Sequence, residues 1–191
     1  MSTPLGFALI GGGRIAQRYL ELLGGGHIGG ARLAAVCDIR EDRAREAGEK
    51  HGVRWFSSLD EMLGSDSGID VACVLTESGR HAGHALAAAR HGKHVVVEKP
   101  LEITLERCDR IIDACTKNNV KLCTIFPSRF GDANQELKRA VAAGRFGRLT
   151  LGETTCKWWR PQSYYDEGGW KGTQALDGGG ALMNQAIHNV D

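Results

Sequence analysis

Phe7-Ala8-Leu9-Ile10-Gly11-Gly12-Gly13-Arg14-Ile15-Ala16 is the stretch from which the rest of this chain is read. Four apolar residues run straight into three glycines, and a helical pattern from Ile15 to Leu23 follows at once. The segment fits G-x-G-x-x-A between a strand and a helix. Gly11 permits the tight turn, Gly13 lets the backbone approach a pyrophosphate, and small Ala16 lets the helix pack closely. The first helical turn, Arg14 and Ile15, offers oriented N–H donors to an anion. A glycine triplet alone is a common turn, so its context decides. Asp38 follows Gly13 by 25 residues, at the end of a second strand, Leu33 to Cys37. That is where ribose hydroxyls are gripped in a dinucleotide site. A carboxylate there repels a 2′-phosphate and favours NAD. Arg40, two residues on, could pair with that phosphate, so NADP stays open.

Outward from this turn, short apolar runs alternate with helical stretches as far as residue 126. The charged segment Glu41 to His51 reads as a helix and Arg54-Trp55-Phe56 as a brief strand. Ser58 with Glu61 makes a capping box opening a short helix. Asp70 to Leu75 is a fourth strand, Arg80 to Arg90 an alanine-rich helix, and Lys93 to Glu98 a fifth strand. Thr104 caps a helix running to Lys117, and Val120 to Phe126 gives a sixth strand. Such alternation predicts an α/β fold over residues 1–126, a doubly wound Rossmann-type parallel sheet with helices on both faces. Thr76 to His81 follows the fourth strand at the switch-point edge. Thr76 and His81 are expected to line the nicotinamide ribose, an ordinary connecting loop being the other reading.

Val95-Val96-Val97-Glu98-Lys99-Pro100 places one lysine at the exit of a buried strand. Three β-branched residues in a row suit a strand covered on both faces, and Pro100 ends the ladder because it has no N–H. Ligands of open α/β sheets bind outside the carboxyl ends of strands. Lys99 is therefore a candidate for chemistry and Glu98 for the cofactor edge, against the plainer reading of a solvated Glu-Lys pair.

The pattern changes near Pro127. A helix from Ala133 to Ala143, a looser strand from Leu149 to Trp159, an aromatic glycine-rich loop over 158–172 and a helix beginning near Gly180 make a second domain, 127–191. One strand cannot bury its own face, so this domain reads as incomplete and the chain as a portion of a longer protein. Asn184 and His188 are four apart, which on an α-helix puts both on one face. A neutral imidazole there can take a hydroxyl proton, and an amide can orient the substrate oxygen beside it.

Composition narrows the classes. At 191 residues, 42% hydrophobic and 25% charged, the chain can bury a core. A net charge of +1 leaves no electrostatic footprint for nucleic acid or an anionic membrane. No apolar run approaches the ~20 residues that span a bilayer, and no signal-peptide pattern is present, which points to a cytoplasmic protein. The six cysteines show no CxxC pair, and Cys37, Cys73 and Cys123 lie in apolar strands, so reduced, buried thiols are expected. His81-x-x-His84 and His91-x-x-His94 lack a completing cysteine or carboxylate at suitable spacing. No metal is expected.

Taken together, Gly11-x-Gly13-x-x-Ala16, Glu98-Lys99-Pro100, Arg129-Phe130 and Asn184-x-x-x-His188 resemble the glucose–fructose oxidoreductase, inositol dehydrogenase and rhizopine-catabolism (Gfo/Idh/MocA) family. That resemblance implies a Rossmann domain followed by an α/β domain with a large open sheet. It also implies NAD(P)-dependent hydride transfer at a hydroxyl-bearing carbon of a sugar, nucleotide sugar or cyclitol. By position Lys99 would be the active-site lysine, His188 the acid/base and Arg129 a substrate contact. Many members carry Asp where this chain has Asn184, so a carboxylate-assisted relay is in doubt. Family proteins are also nearly twice this long, and the remainder usually supplies the surface for homo-oligomers. The run Lys157-Trp158-Trp159-Arg160-Pro161-Gln162-Ser163-Tyr164-Tyr165, with Gly169-Trp170-Lys171-Gly172-Thr173 and Asp177-Gly178-Gly179-Gly180, looks like the branch acting on nucleotide-linked amino sugars or uronates. Arg160 and Lys171 could hold a carboxylate or diphosphate while Tyr164, Tyr165 and Trp170 stack on rings. The aromatics could equally be the second domain's core. Two functional readings stand: a sugar-type NAD(P)-dependent dehydrogenase, or a catalytically inactive dinucleotide-binding fragment of one.

Overall fold

Strand composition dictates the first half of the molecule. A computed structural model describes residues 3–191, which divide between Thr124 and Ile125 into two compact units. In the first, β1 (Leu5–Ile10), α1 (Arg14–Tyr19), β2 (Ala31–Cys37), α2 (Glu41–His51), β3 (Arg54–Phe56) and α3 (Leu59–Gly64) form one half. The other half is β4 (Val71–Val74), α4 (His81–Arg90), β5 (His94–Val97), α5 (Leu105–Lys117) and β6 (Leu122–Thr124). All five strand pairings are parallel and the order is β3-β2-β1-β4-β5-β6. This is the dinucleotide-binding order, with its switch point between β1 and β4.

Every residue of β4 is buried, as a central parallel strand requires. Two apolar clusters cover the sheet. Ala85, Ala88 and Ala89 of α4 and Ile111 of α5 close one face; Leu20, Leu23 and Ala16 close the other. The alanines of α4 are all but inaccessible because small side chains let that helix lie close to the strands. A fully buried Val, Leu or Ile contributes about 1.5–3 kcal/mol here. Helix starts follow the expected chemistry: the Ser58 and Thr104 hydroxyls accept from the amides of Glu61 and Arg107. Past Tyr19 the first helix relaxes into a π-turn, Leu20–Gly24.

The cysteine expectation holds for Cys37 and Cys73 but not for Cys123, which is exposed. β6 is an edge strand, so its outward residues meet solvent. Burial pushes the Cys37 and Cys73 thiols up to about 11 and about 12.

In the second unit a turn (Pro127–Phe130) precedes α6 (Asp132–Ala142), α7 (Gln162–Asp166), and a π-turn (Leu182–Ala186) running into α8 (Ile187–Val190). The strand expected over Leu149 to Trp159 is absent: no described residue of this unit is in a strand. A strand persists when a neighbour meets its backbone groups, and among the described residues no backbone pairs with this segment. Leu151 and Trp159 are consequently 82% and 81% exposed. Among the described residues no helix is long and apolar enough to cross a membrane, and no three His, Cys, Asp or Glu residues gather as metal ligands.

Candidate cofactor and active site

The turn after β1 carries its glycines for two different reasons. Gly11 has φ of 101°, and a Cβ there would stand 3.0 Å from Thr76 Cγ2 and 3.1 Å from the Leu75 carbonyl. Only glycine fits, because β1 and β4 are neighbours. At Gly13 φ is −70°, ordinary for any residue, and a Cβ would meet nothing within 4 Å. Neither backbone nor packing asks for glycine at that position. What its bareness leaves open is the approach to the first-turn amides of α1, where a pyrophosphate fits. Arg14 and Ile15 occupy that first turn, Ile15 42% exposed.

Asp38 ends β2 beside this turn. Its Oδ2 accepts from the Gly12 amide at 2.6 Å and its Oδ1 from the Arg40 amide at 2.8 Å. A carboxylate has about four lone-pair sites, so each oxygen keeps capacity for a ribose hydroxyl. The residues therefore fit NAD. Arg40, by contrast, turns its guanidinium to Asp42, with Nη2–Oδ2 2.8 Å and Nε–Oδ1 3.4 Å. That pairing raises the Arg40 pKa and lowers the Asp42 pKa, and it points Arg40 away from the phosphate role expected of it.

Thr76 packs its methyl against Gly11 and shares a hydrogen bond between Oγ1 and His84 Nδ1 at 2.9 Å. Burial, and next the neighbouring His81, push the His84 pKa down. His81 itself departs from expectation. It is 1% exposed, with Nδ1 2.8 Å from the Pro100 carbonyl and Nε2 3.0 Å from the Thr76 carbonyl. Both ring nitrogens are committed to backbone, so the ring cannot line a ribose.

At the end of β5, the Glu98 amide still bonds the Val74 carbonyl, which brings Lys99 to the level of Thr76 on the same carboxyl edge. The Glu98 carboxylate accepts from the Tyr19 hydroxyl at 2.9 Å and from the Lys99 amide at 3.3 Å. Glu98 is thus built into the sheet edge. Burial and then the Glu98 carboxylate drive the Tyr19 phenol far above its ordinary range. Sequence reading missed Tyr19, whose only signal was its place on the helix after the glycine turn. Lys99 is half-buried, and Pro100 behind it is buried.

In the second unit Asn184 lies in the π-turn Leu182–Ala186 and His188 in the helix that continues it, and four residues bring a side chain back to nearly the same face in either geometry. Asn184 Nδ2 donates to Asp177 Oδ1 at 2.6 Å, while the His188 ring meets Phe126 edge-on, centroids 6.2 Å apart. Asp177, 3% exposed, also accepts from the Gly172 amide at 2.7 Å. It is a buried carboxylate that the sequence showed only as the start of a glycine run. Because a carboxylate only accepts, the contact fixes the Asn184 amide with Nδ2 toward Asp177.

Arg129 grips the Asp191 carboxylate with Nε and Nη2 and lies 5.0 Å from the Phe126 ring centroid. Its guanidinium holds the Asp191 carboxyl below the usual range. Arg160, Tyr164, Tyr165 and Lys171 do come together. Lys171 Nζ is 4.2 Å from the Tyr164 ring centroid and 2.8 Å from Glu167 Oε2. The Arg160 guanidinium is 5.3 Å from the Tyr164 centroid, and Tyr165 packs edge-on to Tyr164 at 5.1 Å. A tyrosine between two cations is not an apolar core. Trp170 is half-buried and its carbonyl accepts from Thr173.

Comparison with known proteins agrees with this geometry. A family model described as "Oxidoreductase family, NAD-binding Rossmann fold" (GFO_IDH_MocA) matches residues 5–126, and the GFO/IDH/MocA C-terminal domain matches residues 134–191. The chain is 38% identical over 140 residues to myo-inositol 2-dehydrogenase of Thermotoga maritima, covering 73% of this chain and 41% of that enzyme. Among solved structures, the WlbA dehydrogenase of Bordetella pertussis in complex with NADH and UDP-GlcNAcA is 36% identical, with a TM-score of 0.92 over 98% of this chain and 57% of that one. The Chromobacterium violaceum WlbA dehydrogenase, also in complex with NADH and UDP-GlcNAcA, is 37% identical, with a TM-score of 0.94 over all of this chain and 54% of the other. The chain spans about half the length of the relatives it matches.

Proposed function

The chain belongs to the Gfo/Idh/MocA family of oxidoreductases, residues 5–126 forming its NAD-binding Rossmann domain, and from that premise we propose that the protein transfers hydride at a hydroxyl-bearing carbon of a nucleotide sugar, sugar or cyclitol. The observation that carries the reading is Lys99 at the carboxyl end of β5, on the edge where Gly11, Gly13, Asp38 and Thr76 fit the dinucleotide. Nicotinamide supplies the hydride acceptor or donor when bound. Lys99 holds the reacting oxygen and stabilises the negative charge that grows on it, a contribution of about 10²–10³ in rate for one preorganised donor. His188 takes the hydroxyl proton, as a neutral imidazole does near pH 7, and the Asn184 amide, held by Asp177, orients the sugar oxygen.

Among the substrate classes, a nucleotide-linked uronate is favoured. Arg160 and Lys171 around Tyr164 offer two cations and an aromatic face, and the two WlbA relatives were crystallised with UDP-GlcNAcA. The second unit is assigned the opening part of the substrate domain, and homo-oligomer formation belongs to the same proposal. The test is NADH formation or consumption with UDP-GlcNAcA, its uncharged UDP-sugar counterpart and myo-inositol. Lys99→Ala should lower turnover by about 10²–10³-fold with NADH affinity nearly unchanged. A fully active Lys99→Ala protein would remove Lys99 from the chemistry. NADH binding without turnover on any substrate would leave the chain as a dinucleotide-binding fragment.

A further inference from the structure

We propose that His81 is a positioning residue that braces the Lys99 turn against the loop after β4, using one N–H on each ring nitrogen. The consequence for chemistry rests on the reading of Lys99 given above; the brace itself does not. His81 opens α4 and is 1% exposed. Its two nitrogens lie 2.8 Å and 3.0 Å from the carbonyl oxygens of Pro100 and Thr76. A carbonyl oxygen only accepts, and a neutral imidazole has a single N–H. Both contacts are hydrogen bonds only when both nitrogens carry protons; otherwise two lone pairs face each other across about 3 Å. Bonds from such a ring to both carbonyls are charge-assisted and roughly twice as strong as neutral ones.

What the ring joins gives it a use. Thr76 packs on Gly11 at the cofactor turn, and Pro100 directly follows Lys99. One side chain therefore ties two segments 24 residues apart in sequence on the edge where hydride would pass. Arg107 links the same segments more loosely, its Nη1 3.3 Å from the Gly79 carbonyl and 3.5 Å from Glu102 Oε1. The ionisable neighbours on the elements concerned are His84 on α4, Glu77 and Arg80 on the preceding turn, and the Glu102–Arg107 pair after Pro100. Neither half of the brace is replaceable by packing alone, because a carbonyl deprived of its donor in a buried place is penalised. Freed of His81, Lys99 would hang on a strand exit, where about 1 Å of displacement costs on the order of 10²-fold in rate.

Two variants separate the halves. The amide nitrogen of Gln reaches the place of Nε2, so His81→Gln keeps a donor for Thr76 and leaves Pro100 without one. The Asn amide nitrogen takes the place of Nδ1, so His81→Asn does the reverse; His81→Leu loses both. The full chain would be labelled with ¹⁵N, saturated with NADH and studied by NMR. In the wild type, both ring nitrogens of His81 should show directly bound protons. In His81→Gln, amide exchange should quicken at Lys99 and Leu101 but not over Thr76–Gly79, with NADH affinity within about twofold of wild type. In His81→Asn the pattern should invert and NADH affinity should fall by about threefold or more. A single ring N–H, or variants that loosen both segments alike, would overturn the brace and return His81 to general packing. Where a substrate turns over, His81→Gln should lower kcat about tenfold with KM for NADH unchanged. Lys99→Ala run alongside keeps the readings apart: if it is fully active, Lys99 loses its role, and the exchange pattern still decides whether His81 is a brace.

Discussion

Replacing Gly13 by alanine separates the two reasons a chain can have for glycine in the turn after β1. At φ of −70° the position is unstrained, and the new Cβ meets nothing within 4 Å. Loss of glycine from the start of α1 costs up to about 1 kcal/mol, and the stiffer unfolded chain returns about 0.4–1 kcal/mol. Net stability should therefore stay within about 0.5 kcal/mol of wild type. The methyl nevertheless fills the space through which a phosphate must reach the α1 amides. One charge-assisted hydrogen bond lost there is about 1.5–3 kcal/mol, so the NADH Kd should rise roughly 10–100-fold. Gly11→Ala is the contrast. Its φ of 101°, with Thr76 and Leu75 atoms at 3.0–3.1 Å, should cost about 2–4 kcal/mol of stability. Urea unfolding followed by circular dichroism gives the stabilities, and NADH fluorescence titration gives the affinities. Wild-type NADH affinity in Gly13→Ala, or a stability loss equal to that of Gly11→Ala, would refute the argument that Gly13 is bare for a ligand.

Three further outcomes are expected. Asp38→Ala should weaken NADH more than NADPH in calorimetric titration, because it removes the carboxylate that meets the ribose and repels a 2′-phosphate; equal losses would remove Asp38 as the selector. His84 is held below its ordinary value of 6.5 by burial, so the folded state binds fewer protons than the unfolded one. Stability conferred above pH 6.5 should be lost as pH falls below that value, and His84→Asn should flatten this part of the profile of melting temperature against pH. Alkylation mapped by mass spectrometry should label exposed Cys123 well before Cys37 and Cys73, whose thiols are pushed up to about 11 and about 12; early labelling of either would contradict their burial.

Much of the first unit is legible without coordinates because its signals are local. A strand covered on both faces must be apolar throughout, as Val71–Val74 is, and a turn at φ of 101° must be glycine, as Gly11 is. Asp38 could be placed by counting from Gly13, since a βαβ unit has a nearly constant length. Reading failed where a side chain's meaning depends on a partner remote in the chain. His81 looked like a cofactor contact until Pro100, 19 residues on, proved to hold its other nitrogen. Tyr19 and Glu98 are 79 residues apart and meet only because α1 packs against the sheet beside the exit of β5. In the second unit the four-residue spacing put Asn184 and His188 on one face, but it could not show that the Asn184 amide donates to the buried carboxylate of Asp177. Alternation likewise predicted a strand over Leu149 to Trp159, but a strand exists only with a neighbour to receive its hydrogen bonds. Residue types and spacings determined the sheet, its glycine turn and the candidate lysine. Only the folded chain decided which polar atoms those residues keep for a ligand and which they give to each other.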